Sequence, residues 1–408
     1  MASLHELLTL KTLPVGETYV AELTRLLKSG IPATYTIEQV AAHEAGQDEA
    51  GDTGSNTTPL HVLLRSLPDK MSAEECQVVL RLMDVLFEFG AGWNFLDYEN
   101  KSPGDLLVEQ GYSCGHPLYE RVVEAGVCAE LLLRKLNDDI EFIEGPEDQV
   151  DEEPEEKEEL EKGEDSADVA VATDLEGSEK KDAPVRDTAE HQDAYLKADL
   201  EYTDGSLITK ENKDGVMMDW ETDIMRLARD SMFKYCDRDA VVLNIGFGMG
   251  IIDTFIQERA PAKHYICEAH PDVLAHMRSE GWYDKPNVVV LEGRWQDSLS
   301  ALLDEGTVFF DAIYYDTFSE HYTDMLELYD TIVGLIKPEG LFSFFNGLGA
   351  DRQVCYDVYK RIVELDVRNY GMDCKYTTVP LSQNPDWAGV RRSYFACDRY
   401  YHPEIRFA

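Results

Sequence analysis

Four short stretches of this chain have residue types and spacing that can do chemistry, and three of them end hydrophobic runs. AVVLNIGFGMG (240–250) closes on Gly246, Gly248 and Gly250, with Phe247 and Met249 between them. KHYICEAH (263–270) supplies Glu268, Ala269 and His270, the acid lying twenty-two residues past the first glycine. FFDAIYYDTFSEHY (309–322) delivers Asp316, and VMMDWETDIMRLARD (216–230) carries Asp219 and Glu221. A strand, a glycine turn, a helix and a second strand ending in an acid form half of a nucleoside-binding α/β unit. The dinucleotide fingerprint G-x-G-x-x-G seats a pyrophosphate over its helix. Here the glycines fall at 246, 248 and 250, and no phosphate-gripping Lys or Ser/Thr follows them. That pattern suits S-adenosylmethionine, which has a ribose and an adenine but no phosphate, with Glu268 accepting both ribose hydroxyls. A tight β-α turn also needs glycine for backbone reasons alone.

Ligands of open α/β sheets sit at the carboxyl ends of the strands, so the residues just past each strand matter most. The third strand runs into EGRWQD (292–297), where Trp295 would stack on adenine and Gln296 or Asp297 would bond to it. Ordinary hydrophobic packing is an equal account of Trp295. Asp316 falls where a methyl acceptor would lie, or it caps the helix that follows, as Asp often does. Asp219 and Glu221 open a helix, where acids are favoured anyway.

The elements that must hold these residues alternate regularly. Strands are expected at 241–246, 264–268, 287–291, 309–315, 340–346, 373–380 and 392–399. Helices are expected at 219–234, 251–259, 271–281, 321–337 and 351–365. Five β-α units and a closing pair of strands predict the class I S-adenosylmethionine-dependent methyltransferase fold. This is a Rossmann-like, seven-stranded α/β sheet with one antiparallel strand at or near an edge.

Composition bounds the rest. At 408 residues the chain is long enough for two or three domains, and its formal net charge is −43. Between Asp138 and Glu190 stand 23 acids against five Lys or Arg, with almost no large apolar side chains. Such a stretch cannot offset the entropy of ordering, so 138–191 is expected to be a solvated, disordered linker. Residues 1–137 are expected to form an α-helical, ankyrin-like repeat region. TTPLHVLLRSL (57–67) contains the T-P-L-H of that repeat, and Ser102-Pro103 opens a similar helix 44 residues further on. The methyltransferase domain then covers 192–408. Excess acid argues against nucleic acid and for a basic protein partner. Eight cysteines with no C-x-x-C pair and no zinc spacing predict reduced thiols and no metal. No stretch approaches the ~20 apolar residues that cross a bilayer, and the N-terminus has no signal-peptide pattern, so no membrane is expected.

Taken in order, VMMDWETDIM, NIGFGMGIID, CEAHPDV, EGRWQD and YYDTFSEHY resemble guanidinoacetate methyltransferase. With the ankyrin-like front and the acidic linker, the chain more closely resembles the fungal protein arginine N5-methyltransferases, the arginine N-methyltransferase 2 type. The likeness covers roughly 192–408, and is looser before that. It implies an enzyme that transfers a methyl group from S-adenosylmethionine to the internal δ-nitrogen of an arginine, in a ribosomal protein, in cytoplasm or nucleus. It also implies that Gly246 to Ile251 carry the cofactor turn, Glu268 takes the ribose, and Trp295 and Gln296 flank the adenine. Met225 and Tyr202 would line the cofactor pocket. Glu221 and Asp316 match the pair of acids that holds a guanidinium, Glu221 as the main clamp and Asp316 as proton acceptor. Neither the double-glutamate loop nor the T-H-W motif of the terminal-nitrogen arginine methyltransferases is present. The alternatives are a small-molecule guanidino methyltransferase and an inactive interaction scaffold.

Overall fold

Hydrophobic runs bounded by glycine and acid become the strands of one large sheet. The structure, a computed structural model, describes residues 2–46, 56–139, 188–189, 191–236, 239–381, 387 and 389–408. The acidic segment expected to be a linker lies almost wholly outside the described residues. Contacts divide the chain into two compact units, 1–103 with 128–183, and 104–127 with 184–408. Residues 104–127, which the sequence places in the repeat region, therefore group with the sheet.

The first unit is helical, with α1 (Ala2–Leu8), α2 (Glu17–Lys28), α3 (Ile37–Glu44), α4 (Pro59–Arg65) and α5 (Ala73–Glu88). The T-P-L-H stretch works locally. His61 Nδ1 accepts from the Thr58 backbone N–H at 3.1 Å, and its Nε2 lies 2.9 Å from the Phe95 carbonyl. The buried Asp97 turns the chain by accepting from the N–H groups of Glu99 and Lys101 and from Arg65.

In the second unit, α6 (Pro103–Glu109) and the start of α7 (Pro117–Asp139) precede a short helix, α8 (Gln192–Tyr195). Three four-residue strands follow, β1 (Leu200–Thr203), β2 (Ser206–Thr209) and β3 (Gly215–Met218), in a small antiparallel sheet. The sequence pattern had no reading for these strands, which are too short to show a period of two. A single 3-10 turn, Asp219–Glu221, then leads into α9 (Thr222–Phe233).

The main sheet contains β4 (Val241–Ile245), β5 (Lys263–Glu268), β6 (Val288–Glu292), β7 (Phe310–Tyr315), β8 (Ile336–Phe344), β9 (Met372–Pro380) and β10 (Arg399–Phe407). The intervening helices are α10 (Ile251–Glu258), α11 (Pro271–Ser279), α12 (Trp295–Glu305), α13 (Tyr322–Leu335) and α14 (Gln353–Asn369). Strand order is β6-β5-β4-β7-β8-β10-β9, with β4 to β8 parallel and β10 antiparallel to both its neighbours. The expected class I α/β sheet is therefore present, and its strand order reverses beside β4. The last strand is corrected from 392–399 to 399–407. Pro403 stands inside this strand although proline cannot donate to a ladder. Its carbonyl nevertheless accepts from Ser343 Oγ at 2.7 Å, and β10 pairs with β9 along its whole length. Buried layers cover both faces of the sheet, one under α12 and α13 and the other under α9 to α11.

Candidate active site

At the strand-order reversal, the ends of β4, β5 and β7 are stitched together by backbone bonds. The Gly246 N–H donates to the Cys267 carbonyl at 2.8 Å, and the Asp316 N–H donates to the Ile245 carbonyl at 2.8 Å. Gly246 has φ +91°, and a Cβ there would lie 1.9 Å from the Asp316 carbonyl oxygen. Only glycine lets the two strand ends approach this closely.

Glu268 is held by three backbone donors. Its Oε1 accepts from the N–H groups of Ala269 (2.8 Å) and His270 (2.7 Å), and its Oε2 accepts from Phe247 (2.8 Å). Burial pushes the carboxyl up from its ordinary range, against the opposing pull of these bonds. Its carboxylate stands, rigidly oriented, in a narrow cavity of about 60 Å³, also lined by Gly246, Gly248, Ala269, Trp295, Asp316 and Tyr195.

A second cavity of about 260 Å³ shares Asp316, Val216, Thr317, Phe318 and Glu320 with the first, and adds Glu221, Gly347 and Tyr394. Both acids meet there. Glu221 is 2% exposed, and its Oε1 accepts from the Met218 N–H (2.9 Å) and the Tyr394 hydroxyl. Asp316 is different: its Oδ2 is buried and has no hydrogen-bond partner among the described residues. Burial raises both carboxyls, Asp316 to about 7, and for Glu221 the charge of Asp316 adds to the effect. An unpaired buried carboxylate is costly unless something cationic meets it.

Other residues named from the sequence lie behind these walls. Phe247 is 1% exposed and packs edge-on against Trp282 at 5.1 Å, while its N–H serves Glu268. Gly250, at φ +70°, caps α10 over the Phe247 ring, and Ile251 packs with the adjoining core. The Met249 N–H donates to Met217 Sδ at 3.2 Å, which puts Met217 rather than Met249 on the cavity wall. Met225 is fully buried in that same core. The Tyr202 hydroxyl donates to the Gly248 carbonyl at 3.0 Å and its ring stacks on His276, so it braces the glycine turn from outside. The His270 ring supports Tyr195, 4.8 Å between centroids. Trp295 lines the first cavity, whereas Gln296 does not, and the Gln296 Oε1 is buried without a partner among the described residues. Asp297 is exposed. Sequence reasoning missed Tyr195, Met217, Glu320 and Tyr394. Met217 and Glu320 stood inside quoted motifs, but Tyr394 reaches Glu221 across 173 positions, a pairing with no local signal.

The strand order together with two adjoining cavities at its reversal defines a class I methyltransferase. Residues 186–365 match the family model for guanidinoacetate N-methyltransferase. Over the whole chain and the whole of each relative, identity is 63% to protein arginine N-methyltransferase 2 of Kluyveromyces lactis and 62% to that of Eremothecium gossypii. It is 58% to the one from Saccharomyces cerevisiae, again across the full length of both chains. The chain belongs to the protein arginine N-methyltransferase 2 family. Among the described residues no helix is long and apolar enough to cross a membrane, and no group of His, Cys, Asp and Glu could hold a metal ion.

Proposed function

We propose that this chain methylates the internal δ-nitrogen of an arginine in a basic protein, with a ribosomal protein as substrate class and S-adenosylmethionine as methyl donor. One observation carries the reading: the unpaired Asp316 carboxylate, facing the same cavity as Glu221. A guanidinium is the fitting complement, being planar, permanently charged and able to donate to both acids. The names of the relatives support arginine as acceptor, and the guanidinoacetate family match supports a guanidino group. The acidity of the chain, at −43, would draw in a basic substrate from a distance.

The donor fits the first cavity by its chemistry. Backbone N–H groups fill three of the four lone-pair sites of Glu268, which leaves one on Oε2 for a ribose hydroxyl, and Trp295 offers an aromatic face for adenine. Gln192, Tyr195 and Leu196 line this cavity on one side. S-adenosylmethionine supplies an electrophilic methyl on a sulfonium, which leaves with its bonding electrons as a neutral thioether. The chain does the rest. Glu221 and Asp316 grip the terminal nitrogens, draw positive charge off the acceptor nitrogen and fix it in line, and such orientation can supply several kcal/mol of the barrier. Asp316, raised by burial, accepts the proton that the methylated nitrogen loses.

Incubating the protein with labelled S-adenosylmethionine and ribosomal proteins, then hydrolysing the product to amino acids, is expected to yield δ-N-methylarginine. Label on a terminal nitrogen would overturn the regiochemistry. The family match also favours a second reading, methylation of a small guanidino acid, and label on free guanidinoacetate but not on protein would establish it.

The acid pair also sets a pH dependence. Without acceptor, the raised carboxyls hold a proton that a guanidinium must expel on binding. Affinity for the acceptor is therefore expected to rise with pH up to about 7, approaching tenfold per unit below about 6 for one released proton, and to level off above. A KM for the arginine substrate that stays flat across that range would contradict the clamp.

A further inference from the structure

Asp316 has no hydrogen bond of its own to hold its carboxylate among the described residues, yet the proposed clamp requires it to be placed accurately. The residues on either side of it are fastened. Tyr315, before it, donates its hydroxyl to Glu320 Oε2, and Thr317, after it, donates its hydroxyl to the same oxygen at 2.7 Å. The other oxygen of Glu320 accepts from Trp295 Nε1 at 2.9 Å and from the side-chain amide of Gln192. One carboxylate thus ties together the end of β7, the loop beyond it, the first residue of α12 and the first residue of α8. It lines both cavities.

The loop is bent to make this possible. Ser319 adopts φ +62°, a left-handed conformation unusual for a non-glycine residue, and its Oγ is buried with no partner among the described residues. That turn returns Glu320 toward Tyr315 and Thr317. Strain of this kind persists only where surrounding contacts over-determine it, and here four donors converge on one side chain.

We infer that Glu320 is a positioning residue, a single latch that places Asp316 for the acceptor while fastening Trp295 and Gln192 at the cofactor cavity. The inference rests on the function proposed above. All four partners donate here, and Trp295 can do nothing else, so the carboxylate accepts at both oxygens. A glutamine keeps its oxygen on Trp295 and Gln192 only if both hydroxyls reverse to accept from its NH₂, and it loses the charge that strengthens all four bonds.

The test uses Glu320→Gln together with variants that remove one donor each. Tyr315→Phe and Thr317→Val loosen only the Asp316 side, and should lower kcat more than they raise KM for S-adenosylmethionine. Gln192→Ala loosens only the cofactor side, and should raise that KM more than it lowers kcat. Glu320→Gln should do both, lowering kcat at least tenfold, weakening binding of S-adenosylhomocysteine several-fold in calorimetry, and shifting the Trp295 emission. Thermal melts and the Trp295 signal are read without turnover, so they report on the latch even if no acceptor is methylated. If the wild-type chain is active and Glu320→Gln stays within twofold on kcat and cofactor affinity, the latch is wrong. If all variants lose activity only in proportion to their loss of Tm, with no division between kcat and KM, Glu320 is merely structural and the inference also fails. If the wild-type chain methylates no guanidino compound, the proposed function fails instead, while the cofactor-binding arm still judges the latch.

Discussion

Asp316→Asn is expected to lower methyl transfer about 10²–10⁴-fold, the range associated with loss of a positioned proton acceptor, while cofactor affinity changes by no more than a few fold. The asymmetry follows from the structure. The contacts of Asp316 with the glycine turn are made by its backbone, whose N–H bonds to Ile245 and whose carbonyl abuts Gly246, and asparagine keeps that backbone. What asparagine removes is a negative charge in the acceptor cavity. It also turns an amide toward the guanidinium, two donors facing one another. The same substitution is expected to stabilise the protein in the absence of substrate. A carboxyl whose folded pKa is raised binds more protons folded than unfolded, so its contribution to stability declines as pH climbs from about 4 through about 7. At neutral pH the wild-type chain carries that cost and the variant does not. Each kcal/mol recovered would raise the Tm of a unit the size of 104–127 with 184–408 by roughly 2–4 °C. Higher Tm with lost turnover would mark Asp316 as a residue kept for function at the expense of stability. A Tm that falls on substitution would mean that Asp316 is paired and structural.

Much of this site was legible because it is local. The positive φ values at Gly246, Gly248 and Gly250 explain why glycine occupies each position, and Glu268 follows from the register of β5 beside β4. Asp316 was readable from its place at the end of β7. What could not be read depends on chain segments far apart in sequence. Tyr394 comes from the region just before β10, which the sequence pattern itself placed as a strand. The role of Glu320 exists only because Gln192, Trp295, Tyr315 and Thr317 converge on it. Periodicity also failed where elements were short or broke a local rule. The strands β1 to β3 have four residues each, and β10 carries a proline inside the sheet. Two side chains assigned to the cofactor, Phe247 from the glycine pattern and Met225 from the family resemblance, lie one layer deeper, in the core behind the turn. Spacing identifies the backbone that approaches a ligand, but tertiary packing decides which neighbouring side chains face it.

Glu268→Ala is expected to produce the largest loss on the cofactor side, a fall in affinity for S-adenosylhomocysteine of about 10–10²-fold. One hydrogen bond from a ribose hydroxyl to a carboxylate, worth roughly 1.5–3 kcal/mol, accounts for that range. The loss should exceed that of any other wall residue, because Glu268 arrives already oriented by the N–H groups of Phe247, Ala269 and His270. Its rotamer is fixed before the ligand comes, so little ordering opposes binding. Alanine also strands those three N–H groups beside the cavity, and a lower Tm should accompany the weaker binding. A lower Tm alone could mislead, so the decisive measurement is a cycle with a 2′-deoxy analogue of S-adenosylhomocysteine. The wild-type chain should lose about tenfold or more in affinity when the hydroxyl is removed. Glu268→Ala should bind the two ligands nearly equally, because the group that told them apart is gone. If the variant still discriminates as the wild type does, the ribose lies elsewhere and the three N–H bonds to Glu268 serve only to close the turn between β4 and α10.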